Sequence, residues 1–467
     1  MKNAFIFFGI QYRWLCVVVL ALMIGFMFTA CDSPLRPPPE IIEPGTLPSM
    51  HLSIAPNVEP WYGVLGGPNE LHRTIWRNTS VSLVSHTDDY ERFAFEAVPA
   101  RARGRGNSSW WIHEKRPLRF RFDTAQPMFG SGYAATDWSL IPNAMDYTMM
   151  RNYAAYFLGS LLSGLNFSPS RHFVHLYLDG DYRGVHMLTD QIHVHPGRIE
   201  LTANANPALS EYFLEWCYRV RWENADAPYS FFMLDRGESG ISFGIGFPGG
   251  GALRNNLGYR DFAADFIKEV DDALRSRDFN RISQVIDVNS FIDFYLVQEL
   301  FQNMDVGFSS LFFQIRQTNV GPRLFAGPLW DFDLSSGSAI GHYSDSLPPG
   351  SGSSIPIEHP IARWWNPWFG DLMATLQFRD MAVARWNTIR NDEVRIMMTH
   401  INHLAIRYQS CFDRNFERWP EKLGQYLWRN SPEVVAIPAS RGHMGQVEFL
   451  IDWLERRKVL MDNFLQW

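Results

Sequence analysis

The chain reads as an α+β protein, β-rich over its first half and mainly helical towards its C-terminus. Apolar and polar residues alternate in Leu118-Arg-Phe-Arg-Phe-Asp123 and Arg171-His-Phe-Val-His-Leu-Tyr-Leu178, the two-residue period of a strand with one buried face. From about residue 259 onward apolar residues recur at the spacing of amphipathic helices. With 467 residues, 46% of them hydrophobic, the chain can bury a large core.

The formal charge of -7 and the lack of any basic run exclude a nucleic-acid binder, which would show a basic face. Arginine supplies most of the positive charge. Lysine occurs only at Lys2, Lys115, Lys268, Lys422 and Lys458, so Lys115 stands alone across a long span.

Lys2 and Arg13 precede an apolar run over 15–27 and then Phe28-Thr-Ala-Cys31. A charged start, a short apolar stretch and small residues before the break describe an export signal over 1–30. Cys31 sits as in a bacterial lipobox, which predicts a lipid-anchored protein of the cell envelope, attached to the membrane through Cys31. A plain signal anchor is the alternative, although the apolar run is short for a bilayer. Residues 31–48 are proline-rich and read as a solvated tether. Cys217 and Cys411 then remain, too few for a disulfide framework, and are expected as unpaired buried thiols.

Residues 49–99 read as a β-rich N-terminal extension, with a strand at 80–84 and turns at Gly66-Gly-Pro68 and Thr87-Asp-Asp89. The polar, glycine-containing stretch Ala102 to Trp111 then joins two strands. Its backbone N–H groups and the arginines of 118–123 suit phosphate, but an ordinary hairpin with a solvated arginine face has the same pattern. A core helix is expected over 147–165, and a hairpin of 171–178 and 182–189 turning at Asp179-Gly180. His172, His175, His186, His193 and His195 lack the paired spacing of a zinc site. A strand at 211–215 and helices at 259–275 and 288–301 follow; the second helix runs into Gln302-Asn-Met-Asp305. Strands at 310–315 and 325–333, a loop over 335–356, the aromatic segment Trp364 to Phe369 and helices at 379–389, 394–408 and 447–464 complete the chain. No tandem repeat is present.

Gly327-Pro-Leu-Trp-Asp-Phe-Asp333 ends an apolar strand in two carboxylates before a small-residue turn. Residues two apart on an extended backbone face the same side, so Asp331 and Asp333 can share one hard cation, which favours oxygen ligands, phosphate oxygens included. A turn cap or an ion-pair partner fits the spacing equally well.

Several of these stretches occur together, in order, in one family. Arg105-Gly-Asn-Ser-Ser-Trp110 with Lys115-Arg-Pro, Met150-Arg-Asn152, Tyr182-Arg-Gly-Val185 with Asp190-Gln191, Asn303-Met-Asp305 and the 327–333 stretch resemble the CotH kinase family, the spore-coat-protein-H-like atypical kinases. The likeness spans roughly residues 100–340 and weakens through the C-terminal helices. It implies an atypical protein-kinase-like fold over 100–467, with an N-lobe over about 100–200 and a helical C-lobe over about 201–467.

By the same resemblance Asp331 binds the magnesium that bridges ATP phosphates, Asp333 assists, and Asp305 orients or deprotonates the acceptor hydroxyl. Arg105, Asn107, Ser108 and Lys115 would cradle phosphate, and Phe325 would stack on adenine. Where family members often carry Ile-Lys-Leu-Asp, this chain has Arg119-Phe-Arg121-Phe-Asp123, so the phosphate-pairing cation falls to Lys115 or Arg121. Phe157 stands where an acidic partner for that lysine is common, and His186 where a tyrosine is. The reading that follows is an ATP- and magnesium-dependent kinase acting on Ser or Thr of a surface or secreted protein. The alternatives are a catalytically inactive kinase-like binding module and a structural envelope lipoprotein.

Overall fold

The computed structural model describes residues 45–54, 73, 75–107, 109–110, 113–236, 240–339, 355–420 and 430–464. The signal segment, Cys31, most of the tether, the turn at Gly66 to Pro68, Ser108 and Trp111 lie outside them. Among the described residues, no helix is long and apolar enough to cross a membrane.

Seven strands close into a barrel: β1 (Ser49–Ile54), β2 (Arg77–Val84), β3 (Phe95–Gly104), β4 (Leu118–Gln126), β5 (Ala135–Ile141), β6 (Arg171–Leu178) and β7 (Asp181–Asp190), in the order β1-β2-β3-β4-β5-β7-β6. Closure is made by a parallel pairing in which Ser49 lies opposite His175. Alternation decides which residues fill the interior: Ala102, Phe120, Phe122, Trp138 and Leu140 are buried there, while Arg101, Arg103, Arg119 and Arg121 point outward. Each buried aromatic contributes about 2–3 kcal/mol of hydrophobic stabilisation.

The 49–99 segment is thus no separate extension. It supplies β1, β2 and most of β3 to the same barrel as β4 to β7, and β3 runs straight through residue 100. The last residues of the expected tether are also docked. Leu47 is buried, Pro48 O accepts from His175 N at 2.9 Å, and Gly45 N donates to Arg407 O at 2.7 Å.

Helix α1 (Arg151–Leu161) starts four residues later than its periodicity predicts. The reason is local: the Asp146 carboxylate accepts from Thr148 N at 2.9 Å and Arg151 N at 2.9 Å, which ties residues 146–150 into a turn.

The second half is not wholly helical. An antiparallel sheet of β8 (Tyr212–Trp216), β9 (Phe231–Leu234), β10 (Ile241–Phe247), β11 (Leu311–Thr318) and β12 (Gly321–Ala326), in the order β12-β11-β8-β10-β9, packs against helices α2 (Gly258–Ser276) and α3 (Val288–Phe301). Every residue of α3 from Ser290 onward is buried, which explains its near-continuous apolar sequence. Asp287 caps its start by accepting from Ser290 N at 2.8 Å, and Gln302 ends it in a left-handed conformation at φ 48°. Helices α4 (Pro367–Ala374), α5 (Leu376–Ile389), α6 (Glu393–Arg407), α7 (Gln409–Arg418) and α8 (Gly442–Phe464) complete the C-terminal region. Cys217 and Cys411 are unpaired and buried, as expected.

The acidic stretch departs from expectation. Strand β12 stops at Ala326, and 327–333 is irregular, its apolar Leu329, Trp330 and Phe332 buried in the core as loop residues. Asp331 is left-handed, at φ 66°, so strand alternation does not place the two carboxylates.

Candidate functional site

A cleft of about 300 Å³ collects three separated segments: the turn after β3 (Arg105, Gly106, Asn107, Ser109), the segment after α3 (Asp305, Ser309, Ser310) and the acidic loop (Trp330, Asp331, Asp333, Leu334). Glu215 and Phe312 line it from the sheet, Arg219 from just beyond β8, and Gln191 from just beyond β7.

Each segment is held by its own hydrogen bonds. The turn depends on Gly106, which takes φ 78° and would bring a Cβ within 2.6 Å of Ser109 Oγ. Asn107 accepts from Arg73 Nη1 at 2.6 Å and donates to Glu223 Oε1 at 3.3 Å. Asp305 is almost fully buried. Its N–H donates to Asn303 Oδ1 at 3.2 Å, and its carbonyl accepts from Phe308 N and Ser309 N at 2.8 and 3.1 Å, so the carboxylate is carried on a fixed turn.

The acidic loop hangs on α1. Phe332 N donates to Asn152 Oδ1 at 2.7 Å and Asp331 N to Tyr156 Oη at 3.4 Å, while the buried Arg151 guanidinium donates to Ser335 O and Ser336 O at 2.9 and 3.1 Å. Trp330 stacks on Tyr156 at 5.6 Å between ring centroids, and Arg105 lies over Trp330 at 5.3 Å. Ser310 Oγ donates to Asp331 Oδ2 at 3.0 Å.

Negative charge is crowded here. Burial and then the charge of Asp305 hold the Asp331 carboxyl above the usual range, against the opposing pull of Ser310, Arg105 and Arg219. Asp333 is raised further, by burial and by Asp331, Asp305 and Asp146 together. Burial also lifts Glu215 to about 7; Arg219 opposes this, and Glu223 and Asp331 add to it.

Among the described residues no three His, Cys, Asp or Glu side chains converge as a metal cage. Two carboxylates in a cleft short of positive charge do fit a divalent cation that draws its remaining oxygens from phosphate and water.

The expected site residues divide. Asp305, Asp331, Asp333, Arg105 and Asn107 line the one cleft, and Ser108 lies outside the described residues. Lys115 does not reach it. The chain turns inward there, Lys115 is 2% exposed, and its ammonium donates to Pro142 O at 2.6 Å. Arg121 is also placed elsewhere, on the outer barrel face, where it pairs with Asp137 at 2.9 Å and covers Trp76 at 4.9 Å. Phe325 shares a sheet face with Phe312 through the cross-strand pairs Phe325–Gln314 and Gln314–Phe213, but Phe312, stacked on Phe213 at 5.2 Å, is the aromatic that lines the cleft. Phe157 points away, against His400 at 4.2 Å.

Sequence reasoning passed over Glu215, Arg219, Ser310 and Tyr156. Glu215 was the most findable, as the one charged residue in the apolar Tyr212-Phe-Leu-Glu-Trp216.

The cleft joins carboxylates, a glycine-containing turn and arginine from sequence-distant segments. Residues 102–228 and 251–461 match the family described as CotH kinase protein, and the chain belongs to that family. No curated protein matches it at a significant level.

Proposed function

We propose that the protein transfers the terminal phosphoryl group of ATP to a Ser or Thr hydroxyl of a surface or secreted protein. One observation carries the reading: Asp305, Asp331 and Asp333 face one cleft from sequence-distant segments, beneath a turn that supplies Arg105 and backbone N–H groups. Asp331 and Asp333 would hold a magnesium ion, which when bound neutralises phosphate charge. Arg105 and the backbone of Gly106 and Asn107 hold phosphate oxygens, in place of the Lys115 and Arg121 expected for that role.

Asp305 orients the acceptor. The hydroxyl oxygen attacks the γ-phosphorus, the bond from that phosphorus to the β,γ-bridging oxygen breaks with its electron pair leaving on ADP, and the hydroxyl proton passes to the Asp305 carboxylate. Lipid anchoring through Cys31 would place this activity at the cell envelope and its membrane.

The full chain, incubated with labelled ATP and magnesium, is expected to phosphorylate itself or an added protein. The absence of any transfer under conditions that activate a family relative overturns the reading. A second reading, an inactive kinase-like binding module, is favoured by one fact: among the described residues no lysine lines the cleft. Calorimetry separates the two, because ATP with magnesium gives heat only under the first.

A further inference from the structure

A recess of about 260 Å³ adjoins the acidic cleft, and Arg105, Gly106, Asn107 and Gln191 line both. Arg73, Arg103 and Arg119 complete it, so among the described residues its wall carries four guanidinium groups and no carboxylate.

Arg103 and Arg119 are direct cross-strand partners on β3 and β4. Like charges placed so are mutually destabilising. Arg103, Arg119 and Arg121 crowd one indole, their guanidinium carbons 5.0, 5.6 and 4.9 Å from the Trp76 ring centroid. Asp137 offsets Arg119 at 2.5 Å and Arg121 at 2.9 Å. Among the described residues Arg103 has no such partner: its Nη1 donates to Arg73 O at 2.8 Å, and its buried Nε meets no acceptor. Burial, then the charges of Arg119 and Arg121, lower its pKa from the ordinary arginine value.

An anion seated in the recess would give the Arg103 guanidinium the charge-assisted partner in which arginine is strongest, beside Arg119, whose Nε and Nη2 already hold Asp137. The phosphate tail of a nucleotide already has its counter-ion site at Asp331 and Asp333 in the cleft, which leaves the recess for a second anion.

We propose that the recess binds a carboxylate or phosphate on a residue flanking the acceptor hydroxyl, so that the protein selects acidic acceptor segments. This rests on the phosphoryl-transfer reading of the neighbouring cleft.

Fluorescent serine peptides flanked by Asp, by phosphoserine or by Lys, titrated against the full chain by anisotropy, test it, and the same peptides serve as acceptors with labelled ATP and magnesium. The Asp- and phosphoserine-flanked peptides are expected to bind at least about tenfold tighter than the Lys-flanked one. Arg103→Gln combined with Arg119→Gln should remove about tenfold of that affinity and raise the acceptor KM, with ATP affinity unchanged. Arg103→Gln alone should lose part of it, which covers the case of a double variant that a thermal melt shows to be unfolded. Equal binding of acidic and basic peptides overturns the proposal. So does a loss of ATP affinity at unchanged peptide affinity, which would give the recess to the nucleotide. Acid-selective binding without transfer to any peptide leaves the recess standing and sinks the phosphoryl-transfer reading; transfer without acid preference does the reverse.

Discussion

On the two sides of one turn, Arg105 to Asn107, the protein assembles opposite electrostatic problems. In the recess, guanidinium groups outnumber carboxylates and are partly relieved by Asp137 and the face of Trp76. In the cleft, Asp305, Asp331 and Asp333 repel one another, and Arg105 and Arg219 only partly compensate. The arginines stay charged in either state because a guanidinium does not give up its proton, whereas a crowded carboxyl can. On the proposed readings the cleft would respond to a cation and to pH, and the recess to an anion and to salt.

Asp305→Ala should break the cleft's function most severely, cutting turnover by about two to four orders of magnitude with nucleotide affinity nearly intact. Asp331→Ala should instead abolish magnesium-dependent nucleotide binding. Calorimetry run beside a transfer assay distinguishes the two. If Asp305→Ala loses ATP as completely as Asp331→Ala, the roles are misassigned.

Next in size is Arg151→Met. The buried pair with Asp146 at 2.5 Å would leave a buried carboxylate unmatched, and the bonds to Ser335 O and Ser336 O would go with it. A loss of about 3–5 kcal/mol in denaturant unfolding is expected.

His443 isolates burial from charge crowding. It is fully buried, its Nε2 donates to Thr148 O at 2.7 Å, and burial pushes it down to about 4. It is neutral in both states above pH 6.5. As pH falls from 6.5 towards 4 the unfolded chain takes up a proton that the folded one refuses, so stability drops, by about 3 kcal/mol across that window. His443→Gln keeps a donor and should remove its share of this limb when unfolding is compared at pH 7 and pH 4.5, leaving the part due to the buried His172, His175 and His193.

The smallest effect has the opposite sign. Asp333→Asn removes a carboxylate repelled by Asp331, Asp305 and Asp146 and should stabilise the fold by about 1–2 kcal/mol at pH 7, while transfer falls. A melting temperature that drops would show that Asp333 is already neutralised by a partner.

Local elements were legible wherever a turn or a period marks them. The Asp179-Gly180 hairpin and helix α3 lie where their residues predict, because both are decided by short-range pattern and burial. The 327–333 loop misled because a loop packed into the core carries the same apolar residues as a strand; only the left-handed Asp331 tells them apart, and no residue pattern requires it. Lys115 was chosen through the family resemblance, which says nothing about the direction of its side chain here, and the fold turns it inward. The arginines of β3 and β4 were visible as a charged face, yet Arg73 and Gln191, which complete the recess, come from distant sequence. Asp305 was reached through the family resemblance; Asp331 and Asp333 were also raised by strand alternation, although a left-handed loop and not a strand places them.

Closure of the barrel by β1 against β6 also sets an order of events during folding. Ser49 must wait for His175 before the ring is sealed, and until then β1 and β6 are open edges with unpaired backbone groups. The β3–β4 connection that lines the cleft precedes β6 in the chain, so it is synthesised before the ring can be sealed. Loss of residues 49–54 would leave β2 and β6 permanently open to pairing with another chain, and self-association would then compete with folding.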